Sequence, residues 1–182
     1  MASMRHGLVG AGVVCGLVWV GAGCATYANY PAIGGDAAVN DPNVVPLPSL
    51  ATTALRWVVE QHPVEGEYVV NLPQGTEYER AGKMARSVGE GARLVSEATS
   101  GLPAYHVSRI WLRGDRAEVD VMRPVTGGAH QMMTVRMKND LGRWIVTSTR
   151  AWPVGMGKTP ELFGWEQPGE GMGVVASESD EE

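Results

Sequence analysis

The strongest constraint on the fold of this 182-residue chain is the alternation of apolar and polar residues in its C-terminal half. Every second residue is apolar in residues 117–121 and again in residues 133–137. This period of two predicts β-strands that bury one face in a core. Glycine-containing turns separate the strands, so neighbouring strands are expected to pair as antiparallel hairpins. The predicted strands cover residues 105–112, 117–121, 133–138 and 144–152.

Helical patterns precede these strands. Apolar residues recur at helical spacing in residues 50–59, with Ser49 as the expected N-cap. Residues 67–72 alternate and predict a short strand. A second helix is expected after Thr76, because Thr76 and Glu79 have the spacing of a capping box. The order of elements predicts an α+β fold, with two N-terminal helices packed on a curved antiparallel β-meander and disordered ends.

This order of elements, with residues 142–149 (GRWIVTST) in the closing strand, is similar to the NTF2-like and cystatin-like α+β families. The similarity covers about residues 50–153. It implies a concave sheet that holds an apolar ligand or a partner protein, or that carries an active site of the isomerase or dehydratase kind. No motif of these families matches position by position, so no catalytic residue is carried over.

The first 23 residues have the pattern of a secretory signal peptide. Arg5 precedes an apolar stretch of 13 residues, 8–20, which as a helix is too short for a hydrocarbon core of ~30 Å. The small residues Gly21-Ala22-Gly23 follow as the expected cleavage site. Cleavage would leave Cys24 first in an exported chain; an uncleaved anchor helix is an alternative.

The residues before Cys24 resemble the lipobox of bacterial lipoproteins, in which an apolar residue and two small residues precede a lipidated cysteine. The sequence V-G-A-G-C at 20–24 matches at the small residues and the cysteine, although Gly21 stands where the family usually has leucine. The resemblance implies that acyl chains on Cys24 anchor the protein in a membrane. Because Ala25 rather than aspartate follows, it also implies the outer membrane of the cell envelope, facing the periplasm. Signal cleavage without lipidation would instead give a soluble secreted domain.

Two segments of biased composition flank the domain predicted at residues 49–154. Residues 24–48 contain four prolines and few charges, so they are interpreted as a lipid-anchored tether. Residues 155–182 begin rich in glycine and carry seven acidic residues and no basic one from Pro160 onward, which predicts a disordered tail. With the acidity in this tail, residues 25–159 are nearly neutral, with 14 basic against 13 acidic side chains. This charge balance argues against nucleic-acid binding.

The sharpest catalytic hypothesis is acid–base chemistry by His106 or His130 with Asp120, in a pocket of the sheet. No metal site is predicted, because the histidines lack the spacing of a ligand set, and no cofactor is predicted either. The domain also lacks a nucleophile elbow and a cysteine nucleophile. A non-enzymatic role is therefore favoured, and an NTF2-like enzyme is the alternative.

Trp111 and Trp152 are the candidate binding residues. Trp111 lies on a mixed face with Val107 and two arginines, and Trp152 lies at the end of the last strand. A tryptophan at such a position can anchor a partner or merely cover an edge of the sheet. Together these features favour a binding or accessory module of the cell envelope, which holds a partner protein or an apolar ligand against the sheet.

Overall fold

The computed structural model describes residues 27–33 and 39–164, which form a mixed α+β structure as the sequence predicts. The predicted signal peptide, Cys24 and residues 165–182 lie outside the described residues. None of the helices within the described ranges is long and apolar enough to cross a membrane. In chain order the elements are β1 (Tyr27–Tyr30), α1 (Leu47–Gln61), β2 (Tyr68–Asn71), α2 (Tyr78–Val88), β3 (Ala92–Arg93), β4 (Ala104–Arg113), β5 (Arg116–Pro124), β6 (His130–Asp140) and β7 (Arg143–Ala151).

The strands form one largely antiparallel sheet in the order β3-β2-β4-β5-β6-β7. Strands β4 to β7 make the predicted meander of consecutive antiparallel neighbours. Strand β2 differs, since it pairs in parallel with both β3 and β4. Parallel strands need a long crossover connection, and the chain through α2 between β2 and β4 supplies it.

Helix α1 covers one face of the sheet. Its buried side chains fall on one side of the helix and join the main core with residues of β4, β5 and β6. The helix begins at Leu47, two residues before the predicted cap Ser49, with a proline in its first turn. Proline suits this position because the first amides of a helix have no intrahelical partner. The buried residues of α1 are Leu47, Pro48, Leu50, Ala51, Ala54, Leu55 and Val58.

Helix α2 forms where the sequence places it, but without the predicted capping box. Its N-cap is Glu77, and no side chain caps it. The Thr76 hydroxyl instead donates to the carbonyl of Pro73 at 2.6 Å. The Thr76–Glu79 pattern therefore marked the right region of the chain, but the threonine side chain closes the preceding turn.

The sheet has a core face and an opposite face, here called the outer face. Val119 and Val121 of β5 are buried in the core, and Asp120 between them lies on the outer face. A bulge at residue 108 inserts an extra residue into β4. Val107 therefore pairs with Val121 in the core, whereas Trp111 pairs with Glu118 on the outer face. The prediction that Val107 and Trp111 share a face is wrong because of this one residue.

The segment predicted as a tether contributes a strand. Tyr27–Tyr30 forms β1, which pairs antiparallel with the C-terminal half of β4. The Arg113 guanidinium of β4 donates to the Tyr27 hydroxyl and lies over its ring, which fixes the start of this strand. The low charge of the segment, interpreted as that of a tether, here accompanies a strand whose two central residues are buried, with Ala28 fully covered.

The chain after β7 crosses the outer face at the end of the sheet; we call residues 152–164 the strap. The amide of Gly155 donates to the carbonyl of His130 at 3.0 Å, so the strap leaves the sheet beside β6. Its far end reaches β2, where the carbonyl of Glu161 accepts a hydrogen bond of 2.8 Å from the Asn71 side chain. Residues 155–164, predicted as the first part of a disordered tail, thus lie against the sheet through main-chain hydrogen bonds that composition does not reveal.

Candidate ligand cavity

A partly open cavity of about 870 Å³ lies at the end of the sheet where β4 begins and the β5–β6 hairpin turns. Residues 63–64 after α1, residues 101–104 before β4 and the hairpin form three of its walls. Residues Thr159, Pro160 and Leu162 of the strap form the fourth. Its volume lies in the range of pockets that bind small molecules.

Most side chains in the cavity wall are glycine, alanine, proline, valine or leucine. The exceptions with basic groups are His106, His130 and Arg123. Within the described residues, no acidic side chain lines the cavity. The cavity therefore offers mainly shape and apolar surface, and its polar side chains are these three and the threonines Thr126 and Thr159.

His106 and His130 meet in this wall. His106 lies on β4 beside the end of β2, and His130 opens β6 opposite Pro124. Their Nε2 atoms are 3.3 Å apart, and the rings pack edge to face with centroids 4.9 Å apart. His106 is buried, with 2% of its surface exposed. Two of the three predicted catalytic residues are thus neighbours.

Asn71 fixes the positions of the protons in this pair. Its Oδ1 accepts from the amide of Phe163 at 3.3 Å and its Nδ2 donates to the carbonyl of Glu161, so its two amide atoms cannot be exchanged. The same Nδ2 lies 3.1 Å from Nδ1 of His106. Because Nδ2 only donates, Nδ1 of His106 must be the acceptor.

The remaining protons follow from this assignment. A neutral His106 that accepts at Nδ1 carries its proton on Nε2 and donates it to Nε2 of His130. A neutral His130 that accepts at Nε2 carries its own proton on Nδ1, and a backbone hydrogen bond at Ala104 raises the pKa of this residue. Both ring nitrogens of His106 and Nε2 of His130 are therefore engaged in hydrogen bonds within the protein.

The surroundings keep both imidazoles neutral. Burial lowers the pKa of His106 to about 4, and the neighbouring His130 adds to the effect. Burial also lowers the pKa of His130, against the hydrogen bond at Ala104. In addition, a proton on Nδ1 of His106 would face the amide hydrogens of Asn71, so the protonated ring would lose this hydrogen bond. The pair thus carries no charge at neutral pH.

Asp120 does not join the histidines. Its carboxylate accepts a bond of 2.7 Å from Nε of Arg109 and one of 2.6 Å from the Thr134 hydroxyl. It is buried but does not line the cavity. Asp120 is therefore not available as the carboxylate of a His106–Asp120 or His130–Asp120 acid–base pair. Arg109 lies opposite Asp120 across the strand pair and binds its carboxylate instead.

The histidine pair is also a poor metal site. Among the described residues, no three His, Cys, Asp or Glu side chains come together as metal ligands would. Nε2 of His106 holds a proton in the arrangement above, whereas a metal needs a free lone pair there. If that proton moved to Nδ1, it would face the amide hydrogens of Asn71, and the hydrogen bond between the two side chains would be lost.

The candidate binding residues Trp111 and Trp152 lie away from the cavity. Trp111 is half-buried on the outer face, with the Arg113 guanidinium 4.4 Å from its ring centroid. Trp152 donates from Nε1 to the Thr134 hydroxyl at 2.9 Å, and Arg150 lies over its ring. Each tryptophan packs with side chains of this same sheet, which favours the interpretation as cover for an edge.

Three residues that sequence analysis did not select complete the site. Asn71 orders the histidine protons, as described above. Arg123 donates from Nε and Nη2 to Oε1 of Gln131, at 3.1 and 2.6 Å. Gln131 in turn donates to the carbonyl of Trp152 at 2.8 Å. The signals were weak: a polar residue ending an apolar strand, and an Arg and a Gln on either side of a hairpin.

Comparisons with known proteins identify no relative of this chain: no family model matches it, and no curated protein or solved structure does. The similarity to NTF2-like and cystatin-like domains therefore stays a prediction, and the function must be argued from the geometry.

Proposed function

We propose that this domain is a non-enzymatic binding module that holds an apolar ligand in the cavity at the end of the sheet. The observation that carries the proposal is the cavity itself, with a volume of about 870 Å³ and walls of small and apolar side chains. Binding sites for small molecules are usually concave, mainly apolar and equipped with few polar groups.

The state of the histidines favours binding over catalysis. A general base needs a free lone pair within reach of the proton that it removes. In the His106–His130 pair, Nδ1 of one ring and Nε2 of the other accept hydrogen bonds from protein groups. The alternative of an acid–base enzyme would require this network to open, and Asp120 is bound to Arg109 and Thr134.

Fluorescence of N-phenyl-1-naphthylamine, a neutral apolar probe, tests the proposal. We expect an increase in emission that saturates at one probe per chain. The variant Ala129→Trp places a large side chain in the cavity wall and should abolish the saturable signal. The matched control Ala151→Trp adds the same side chain at the exposed end of β7, outside the wall, and should bind normally. Equal probe binding by both variants would contradict the proposal.

We also propose that the protein is exported and anchored in the cell envelope through acylated Cys24, facing the periplasm. The support is the sequence of residues 8–24, with its short apolar stretch, small residues and cysteine. The test is the intact mass of the mature protein from the membrane fraction. A chain that starts at Cys24 with the added mass of acyl chains is expected. An unmodified chain in secreted soluble material would refute the anchor.

A further inference from the structure

We infer that the cavity selects ligands that combine an apolar body with a single carboxylate-type anion, and that Arg123 binds this anion. The inference rests on the proposed ligand-binding function and specifies the chemical class of the ligand. Arg123 lies at the end of β5, in the wall of the cavity.

The positive charge of Arg123 has no carboxylate against it. Among the ion pairs of the described residues, none includes Arg123. Its hydrogen-bond acceptor is Oε1 of Gln131, a neutral amide oxygen. An arginine has five N–H donors in a fixed plane. The two bonds to Gln131 use Nε and one Nη2 hydrogen, which leaves donors for a ligand.

The guanidinium is also held in place before any ligand arrives. Gln131 lies directly across the strand pair from Arg123. Its own amide is anchored by the donation from Nε2 to the carbonyl of Trp152. A side chain fixed in this way loses less conformational entropy when it binds an anion than a free surface arginine would.

The charge of Arg123 also acts on His62 and Tyr105, which are sequence neighbours of cavity-lining residues. It contributes to lowering the pKa of His62 and opposes the rise in the pKa of Tyr105 that burial causes. The Tyr105 hydroxyl donates to the carbonyl of His62 at 2.6 Å, directly before Pro63 in the cavity wall. Arg123 therefore supplies positive charge to this side of the cavity wall.

The number of charges indicates a monoanion. Arg123 is the one fixed cation among the described lining residues, and the neutral histidine pair adds no charge. A phosphate dianion would carry a second charge with no partner in a mainly apolar wall, which is unfavourable. A carboxylate matches the single guanidinium in charge and in planar geometry.

Competition against bound N-phenyl-1-naphthylamine tests this class of ligand with three probes of equal chain length: laurate, 1-dodecanol and dodecyltrimethylammonium. We expect laurate to displace the fluorophore at a concentration about tenfold lower than 1-dodecanol, and the cation to be the weakest. Arg123→Gln should reduce laurate to the level of 1-dodecanol. The control Arg116→Gln, an exposed arginine at the β4–β5 hairpin, should keep the preference.

The outcomes separate this inference from the proposed function. If the fluorophore itself does not bind, the ligand-binding proposal fails. If it binds and laurate and 1-dodecanol compete equally, or if Arg123→Gln keeps the preference for laurate, the anion site is refuted while the cavity stands. If circular dichroism shows that Arg123→Gln does not fold, the anion site is tested with the wild-type protein instead. Its preference for laurate must shrink when salt is raised, because an ionic contact at a partly open site is screened; a preference that salt does not change refutes the site.

Discussion

The neutral state of His106 predicts a specific pH dependence of stability. In the unfolded chain this histidine titrates at about 6.5, whereas in the folded protein burial lowers its pKa to about 4. Between these values the unfolded state binds a proton that the folded state does not. Because the unfolded state then binds more protons, stability rises with pH across this window and falls as the solution is acidified.

The size of the effect follows from the two pKa values. A difference of one pKa unit corresponds to about 1.4 kcal/mol, so His106 lowers the free energy of unfolding by about 3 kcal/mol once both states are protonated. Between pH 7 and pH 5 the same relation gives a loss of about 2 kcal/mol from this residue. His106 is 2% exposed, so solvent screens this effect little.

Urea unfolding followed by tryptophan fluorescence at pH 7, 6 and 5 measures this slope. His106→Gln stays neutral at every pH and should lose about 2 kcal/mol of the pH-dependent difference, although it is less stable at pH 7. His62→Gln is the control, because His62 is only partly buried and should leave most of the slope in place. If His106→Gln and the wild type lose stability equally between pH 7 and pH 5, the lowered pKa of His106 in the folded protein is refuted.

Three further predictions test other parts of the fold. Asn71→Ala removes both side-chain bonds to the strap, so trypsin should cleave after Lys158 several times faster than in the wild type. The unfolding midpoint should also fall, because the buried Nδ1 of His106 loses its donor. Asp120→Ala should cost about 2–3 kcal/mol of stability, because it leaves the buried Thr134 hydroxyl without its acceptor and Arg109 with only a 3.5 Å contact to Glu118. Glu118→Ala, whose ion pairs with Arg109 and Arg136 are more exposed, should cost about 1 kcal/mol or less; equal costs by urea unfolding would contradict this. Tyr105→Phe should cost about 1 kcal/mol in the same assay through loss of the bond to the His62 carbonyl, and no change would show that water replaces that bond.

The meander was predictable because a buried face imposes a period of two on the sequence. In β5 and β6 the apolar positions 117–121 and 133–137 are the core positions of the structure, in register with one another. Helix α1 was predictable for the same reason at a different period. Each of these elements carries its own signal, since one side of it is apolar and the other polar.

The pairings between distant segments were not predictable. Strand β1 pairs with β4 across about eighty residues, and β2 pairs in parallel with β4 through main-chain bonds that any sequence can make. The strap is bound mainly by backbone groups of Gly155, Glu161 and Phe163. Main-chain contacts leave little trace in composition, so a segment rich in glycine and proline was interpreted as disordered.

The site was predictable in its residues but not in its partners. His106 and His130 were selected because of their residue type, and their meeting depends on the β4–β5 and β5–β6 registers, which place both beside the end of β5. Asp120 was selected by the same criterion, yet Arg109 lies opposite it once the bulge at residue 108 is counted. The residue inserted in β4 thus determines which side chain lies opposite the Asp120 carboxylate.

The polar groups of the outer face and of the cavity wall differ in how they are satisfied. Along the middle of that face, Asp120 is bound by Arg109 and Thr134, and Thr134 accepts from Trp152. At the end, the histidine pair is satisfied internally through Asn71. Among the described lining residues, Arg123 then remains as the charged group whose protein partner is a neutral amide. Because the histidine pair is neutral and Arg123 is the one charged side chain among the described lining residues, recognition in this cavity depends mainly on apolar shape and one positive charge. A neutral probe and a matched anion are therefore sufficient to test it.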